Sequence, residues 1–142
     1  MLTKDYVIGL ADGEGSFTVY VRDPKATNQR KRRVTAEARF TIKLIEKDRK
    51  ILEELKKFFG CGNVYFQKDT RLRHQNCYRF EIANRQHLKD RIIPFFRKNR
   101  LRFPSKQKDF ALFCTLIRDM DKNMHKTPEG LLEMHEIKRQ MH

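Results

Sequence analysis

A chain of 142 residues carrying 32 Lys and Arg against 18 Asp and Glu has room for one modest core, and its net charge of +14 points to a polyanionic partner, most simply nucleic acid. A membrane surface fits poorly, because the cations are spread along the whole length and no long apolar run or signal peptide occurs; residues 1–142 read as a single intracellular domain. Cys61, Cys77 and Cys114 form no C-x-x-C pair and the five histidines lack finger spacing, which excludes a disulfide frame and a zinc finger; any bound metal would be a hard cation such as magnesium, held by carboxylates.

The first element is Tyr6-Val7-Ile8-Gly9-Leu10-Ala11-Asp12-Gly13-Glu14-Gly15-Ser16, a short apolar helix with Thr3 as its N-cap. Gly9 and Gly13 stand four apart and leave one helix face without side chains, so a second backbone can approach closely. Gly13 and Gly15 predict a sharp turn that holds Asp12 and Glu14 just beyond the helix end. Two such helices side by side would cluster their acids. Taken alone, the stretch reads first as an ordinary helix end and D-G turn with solvated carboxylates, and the rest of the chain has to decide otherwise.

A strand follows, with Phe17, Val19 and Val21 on one side and Thr18, Tyr20 and Arg22 on the other. Asp23 and Pro24 end it. The segment to Arg33 holds Asn28, Gln29 and the run Arg30-Lys31-Arg32-Arg33, a hairpin tip that is either a solvated loop or an arm along a phosphate backbone. Alternation resumes at Val34. Val34, Ala36, Ala38, Phe40 and Ile42 face one way; Thr35, Glu37, Arg39 and Thr41 face the other.

Asp48 is expected to cap a helix whose stripe is Ile51, Leu52, Leu55, Phe58 and Phe59, closed by Gly60. In the third strand Val64 and Phe66 point inward and Asn63, Tyr65 and Gln67 outward. A polar turn containing Arg71 and Arg73 leads to the fourth, with Tyr78, Phe80 and Ile82 inward and Cys77, Arg79 and Glu81 outward. Asn84 caps a helix carrying Leu88 and Ile92, which Pro94 breaks or kinks. Cations are dense from Arg97 to Lys108. Pro104 and Ser105 open a helix with Phe110, Phe113, Leu116, Ile117 and Met120 buried, and Thr127-Pro128-Glu129 opens the last one.

The order makes an α+β fold, an α-β-β-α-β-β-α unit with a four-stranded antiparallel sheet backed by helices. One face of every strand is apolar, and the other carries Thr, Arg, Gln, Asn, Tyr and Glu. On so basic a chain that second face suits the major groove, where Arg pairs with guanine and Asn or Gln with adenine. The DNA-contacting candidates are Thr18, Tyr20, Arg22, Asn28, Gln29, Arg30, Arg32, Arg33, Thr35, Glu37, Arg39, Thr41, Asn63, Tyr65, Gln67, Arg71, Arg73 and Arg79.

Val7-Ile8-Gly9-Leu10-Ala11-Asp12-Gly13-Glu14-Gly15 resembles the signature of the LAGLIDADG homing endonucleases. Phe40-Thr41-Ile42-Lys43 through Phe59-Gly60-Cys61-Gly62, Lys106-Gln107-Lys108-Asp109-Phe110, and His125 through Met141 resemble further blocks of that family, in the same order. The resemblance implies that Glu14 is the metal-binding acid, with the Gly13 carbonyl beside it and Asp12 as a supporting acid. It implies Lys106 as the catalytic lysine, with Arg102 and Lys108 in reserve. It further implies Mg2+ as cofactor (Mn2+ able to substitute) and a homodimer joined through Ile8, Gly9, Ala11 and Asp12. The partner would be double-stranded DNA with a long, nearly palindromic site, cut on behalf of a mobile intron or intein-like element. One departure stands out: the position where some members carry a water-ordering glutamine is Leu44, leaving Lys43, Glu46 or solvent for that role. The alternatives on the same fold are an intron maturase, which binds RNA, and a non-cleaving DNA-binding protein.

Overall fold

In a computed structural model of the chain, which describes residues 1–26, 34–69, 71 and 74–142, two hairpins join into a single antiparallel sheet. The strands are β1 (Gly15–Val21), β2 (Ala36–Ile45), β3 (Asn63–Gln67) and β4 (Cys77–Ile82), in the spatial order β1-β2-β4-β3. The helices are α1 (Lys4–Glu14), α2 (Arg49–Phe59), α3 (Arg85–His87), α4 (Ile93–Lys98), α5 (Pro104–Asp121) and α6 (Pro128–Lys138). The expected α+β order is therefore the observed one.

Register explains why the sheet has one dry face. Phe17 lies opposite Phe40, and Ile42 opposite Phe80, so the apolar side chains of neighbouring strands coincide and the helices close over them. Phe17 sits at the centre: its ring centroid is 5.1 Å from Phe40, 5.3 Å from Phe113 and 5.6 Å from Phe96, all of them buried. Each such burial contributes about 1.5–3 kcal/mol. Thr3 accepts a hydrogen bond from the Tyr6 N–H, Asn84 from His87 and Thr127 from Gly130, so three of the four expected side-chain caps are made. Gly60 ends α2 in the left-handed conformation, with φ at 72°.

The structure corrects several expectations. Val34 lies outside β2 and is exposed, because pairing with β1 ends at Val21 opposite Ala36. Asp48 makes no capping bond; a 3-10 turn, Glu46–Asp48, leads into α2 instead. Phe66 is 51% exposed, since β3 is the edge strand and only one neighbouring strand flanks it, and the ring rests on Tyr78 at 5.4 Å. Pro94 does not break its helix. A π turn, Leu88–Ile92, precedes it, with the Ile93 N–H bonded to the Leu88 carbonyl, and this wider turn absorbs the proline's missing donor. No sharp turn follows Asp12 either: α1 runs through Glu14, and Gly15 enters β1 with φ −76° and ψ 153°.

The three cysteines are free thiols, and burial pushes the Cys114 thiol up. Among the described residues, no helix is long and apolar enough to cross a membrane.

Candidate active site and nucleic-acid interface

The two acids of the signature part company at the tip of α1. Val7, Ala11 and Asp12 face the protein interior, while Tyr6, Gly9, Gly13 and Glu14 face out. Asp12 is 4% exposed. Its carboxylate accepts the Arg102 N–H at 3.0 and 3.1 Å and the Phe103 N–H at 3.1 Å, so it fastens the loop that starts α5. Glu14, two residues on, is exposed and has no hydrogen-bond or ion-pair partner among the described residues. The Gly13 carbonyl, in the last turn, lacks an intrahelical donor.

Close approach, not a bent backbone, accounts for Gly15. A Cβ there would lie 2.6 Å from the Ala11 carbonyl oxygen. The helix thus passes directly into β1, and the Gly15 carbonyl accepts a hydrogen bond from Lys106 Nζ. Lys106, on the first turns of α5, is brought there by the loop that Asp12 anchors. The structure therefore gathers Glu14, Gly13 and Lys106 at one corner, beside the end of the sheet. Arg102 and Lys108 are exposed nearby along the chain. No group of three or more His, Cys, Asp and Glu converges among the described residues. A metal here would take the Glu14 carboxylate and Gly13 carbonyl from one chain, with its other ligands drawn from phosphate, water or a second copy.

Of the expected interface residues, Gly9 lies on the open face of α1, and a Cβ added at Gly9 or Gly13 would meet nothing within 4 Å. Ile8 is half-buried at the edge of that face. Ala11 and Asp12 are turned into this chain's own interior.

The outer face of the sheet carries most of the other candidates that fall among the described residues. Thr18 lies opposite Arg39 and Tyr20 opposite Glu37; Thr41 lies opposite Glu81, which in turn faces Asn63; Arg79 lies opposite Tyr65. Arg39 donates to Glu37 and Glu81. The Arg79 guanidinium sits 5.4 Å from the centre of the Tyr65 ring, a cation–π contact. Gln67 is half-buried, and Asn63 and Tyr65 are exposed.

Three candidates lie off the strands. The Arg22 N–H bonds the Thr35 carbonyl, and the Thr35 hydroxyl donates to the His125 carbonyl at 2.8 Å, which ties it to the helical layer. Arg71 forms a two-point pair with Asp69, at 3.1 and 2.7 Å, and this holds the Asp69 carboxyl well below the usual carboxylate range. Asn28, Gln29, Arg30, Arg32, Arg33 and Arg73 lie outside the described residues. Leu44 packs against the core on the helix-facing side, while Lys43 and Glu46 are exposed.

Two residues of this face escaped the sequence reading. Glu81 is 9% exposed, next to both Arg39 and Arg79. Its outward parity was legible; its burial needed the strand order. Lys138, at the end of α6, lines a cavity of about 340 Å3 with Thr18, Val19, Tyr20, Glu37 and Arg39.

With this geometry in view, the chain was compared with known proteins. The model of the LAGLIDADG endonuclease family matches residues 7–117. A probable intron-encoded endonuclease 2 of Neurospora crassa is 31% identical over 134 residues, which is 94% of this chain and 28% of the relative. A probable intron-encoded DNA endonuclease 1 of Mycosarcoma maydis is 30% identical over 112 residues, covering 78% of this chain and 35% of the relative. The chain thus spans about a third or less of the length of these relatives. Among solved structures, the homing endonuclease I-TnaI superposes with a TM-score of 0.79 at 33% identity, covering 99% of this chain and 88% of that one. The I-SmaMI LAGLIDADG homing endonuclease bound to cleaved DNA gives 0.82 at 30% identity, covering 100% of this chain and 44% of that one.

Proposed function

The chain belongs to the LAGLIDADG endonuclease family, and we propose that it is a site-specific double-strand DNA endonuclease of a mobile intron or intein-like element, working as one half of a two-fold pair. The observation that carries this reading is the corner of α1 and α5: an exposed Glu14, unpartnered among the described residues, beside a lysine whose Nζ is hydrogen-bonded to the Gly15 carbonyl. The basic charge and the polar sheet face support double-stranded DNA as the substrate.

Magnesium fits the donor set, because Glu14 and the Gly13 carbonyl offer only hard oxygens. Bound there, it would polarise the scissile phosphate and supply an activated water. Lys106 spends one of its three N–H donors on the Gly15 carbonyl, which leaves two for phosphate oxygens as charge develops. Asp12 keeps the α5 loop in place and so positions Lys106. The side-chain-free face at Gly9 and Gly13 lets a second copy lay its own α1 alongside, which would bring two Glu14 carboxylates together and make the DNA site nearly palindromic.

Incubation with duplex DNA of the uninterrupted insertion site and Mg2+ tests the proposal. The chain should cut both strands, and Glu14→Gln should bind equally well without cutting. Binding with no cleavage across metals and pH would sink the nuclease reading and favour a maturase or a DNA-binding regulator.

A further inference from the structure

Accepting the polar sheet face as the DNA-reading surface, Arg39 is a residue on it held by two carboxylates at once. Glu37 Oε1 takes the Arg39 Nε at 3.1 Å and Nη2 at 2.9 Å, along one edge of the guanidinium. Glu81 Oε1 takes Nη1 at 3.2 Å. A guanidinium has five N–H donors. Three are used, so each terminal nitrogen keeps one donor uncommitted among the described residues. The Arg39 side chain remains 37% exposed and lines the 340 Å3 cavity between β1 and Lys138.

Glu81 is the unusual member of this set. Its side chain is only 11% exposed, on the face of a +14 protein that would meet polyanionic DNA, and strand pairing fixes it opposite Thr41 on one side and Asn63 on the other. It stands between two arginines, with Arg79 Nε 3.4 Å from the same oxygen that holds Arg39. An acid here repels DNA and reduces phosphate attraction, so affinity alone does not explain it. Orientation does. A long, flexible arginine on an open sheet can swing to any phosphate, whereas one gripped along its edge and at Nη1 presents its remaining donors in one direction.

Two donors on adjacent nitrogens of one plane match the O6 and N7 acceptors of guanine; adenine places a donor where one of those acceptors would be. We propose that Glu37 and Glu81 pre-orient Arg39 as a guanine reader, which makes Glu81 a positioning residue that sets base specificity without touching DNA. The inference rests on the DNA-binding reading above.

Selection from a randomised duplex library in metal-free, EDTA-containing buffer tests it on the wild-type chain, Glu81→Gln, Arg39→Lys and the double variant. The wild type should enrich guanine at one position per half-site, and Arg39→Lys should lose that preference. Glu81→Gln should keep affinity for duplexes lacking that guanine within about threefold while discrimination at that one position falls roughly five- to 150-fold, the range for losing one bidentate base contact. The double variant should be no worse than Arg39→Lys alone. Glu37→Gln provides a second probe if Glu81→Gln melts at a much lower temperature, and it should erode the same position. Guanine preference that survives both Gln variants overturns the inference, and so does an equal loss on every sequence. A wild-type chain that enriches no sequence at all would instead overturn the DNA-binding reading itself.

Discussion

Asp12→Ala separates an anchoring acid from a catalytic one. The carboxylate receives two backbone N–H groups, from Arg102 and Phe103, in a position that is 4% exposed. Truncation leaves both donors without an acceptor, at roughly 1–3 kcal/mol each, so the loss should total about 2–6 kcal/mol. Against a domain stability of about 5–15 kcal/mol this is large. It corresponds to a fall in Tm of about 6–18 °C for a chain of this size. With no Trp in the sequence, urea unfolding followed by circular dichroism is the suitable measurement. Cleavage should fail alongside stability, because the same loop delivers Lys106 to the Gly15 carbonyl. Asp12→Asn keeps an oxygen for the two N–H groups; it should cost about 1–2 kcal/mol and retain cleavage at reduced rate. If Asp12→Ala abolished cleavage while unfolding within about 1 kcal/mol of the wild type, the acid would be acting on the reaction directly and the anchoring argument would be wrong.

Gly9→Leu fills space that is open within this chain, so its circular dichroism should stay that of the wild type, yet light scattering should show the pair reduced to single copies; an intact pair would remove α1 from the interface. Gly130→Ala places a Cβ 1.9 Å from the Met124 carbonyl oxygen, a backbone atom, and should destabilise by about 1–3 kcal/mol as α6 is pushed off the preceding turn. An unchanged midpoint would show that the two segments are not in contact. Asp119 titrates above its ordinary value, chiefly because burial disfavours its charge, and its Oδ2 has no hydrogen-bond partner among the described residues. The folded state therefore holds a proton that the unfolded chain has already released, and stability falls as pH rises from 3.8 through the raised folded value. Asp119→Asn should abolish that decline and stabilise the chain at neutral pH, with the advantage vanishing in acid; equal midpoints at neutral pH would contradict the burial argument.

What the sequence made legible was whatever depends on parity and local caps. Alternation placed Phe17, Phe40 and Phe80 inside and Thr18, Arg39 and Tyr65 outside, because a strand's two faces are set by neighbours two residues apart. Alternation cannot say where pairing stops or which face a helix covers, and so Val34 and Phe66 carry the apolar parity of core residues but sit in solvent. The acids are harder still. Asp12 and Glu14 share one motif two positions apart, yet one is buried by a loop 90 residues further along the chain while the other is left free. Glu81 has the parity of a solvent-facing residue and is nonetheless enclosed, because the order β1-β2-β4-β3 sets β4 between two strands and brings Arg39 of β2 against it, beside Arg79 of its own strand. In each case the deciding partner is remote in sequence: a backbone N–H for Asp12, a guanidinium for Glu81. A carboxylate's role in this fold therefore follows from which donors the tertiary structure brings to it. That is why one acid of this fold is tied to a loop backbone, another to guanidinium groups, and a third is left exposed at a helix tip.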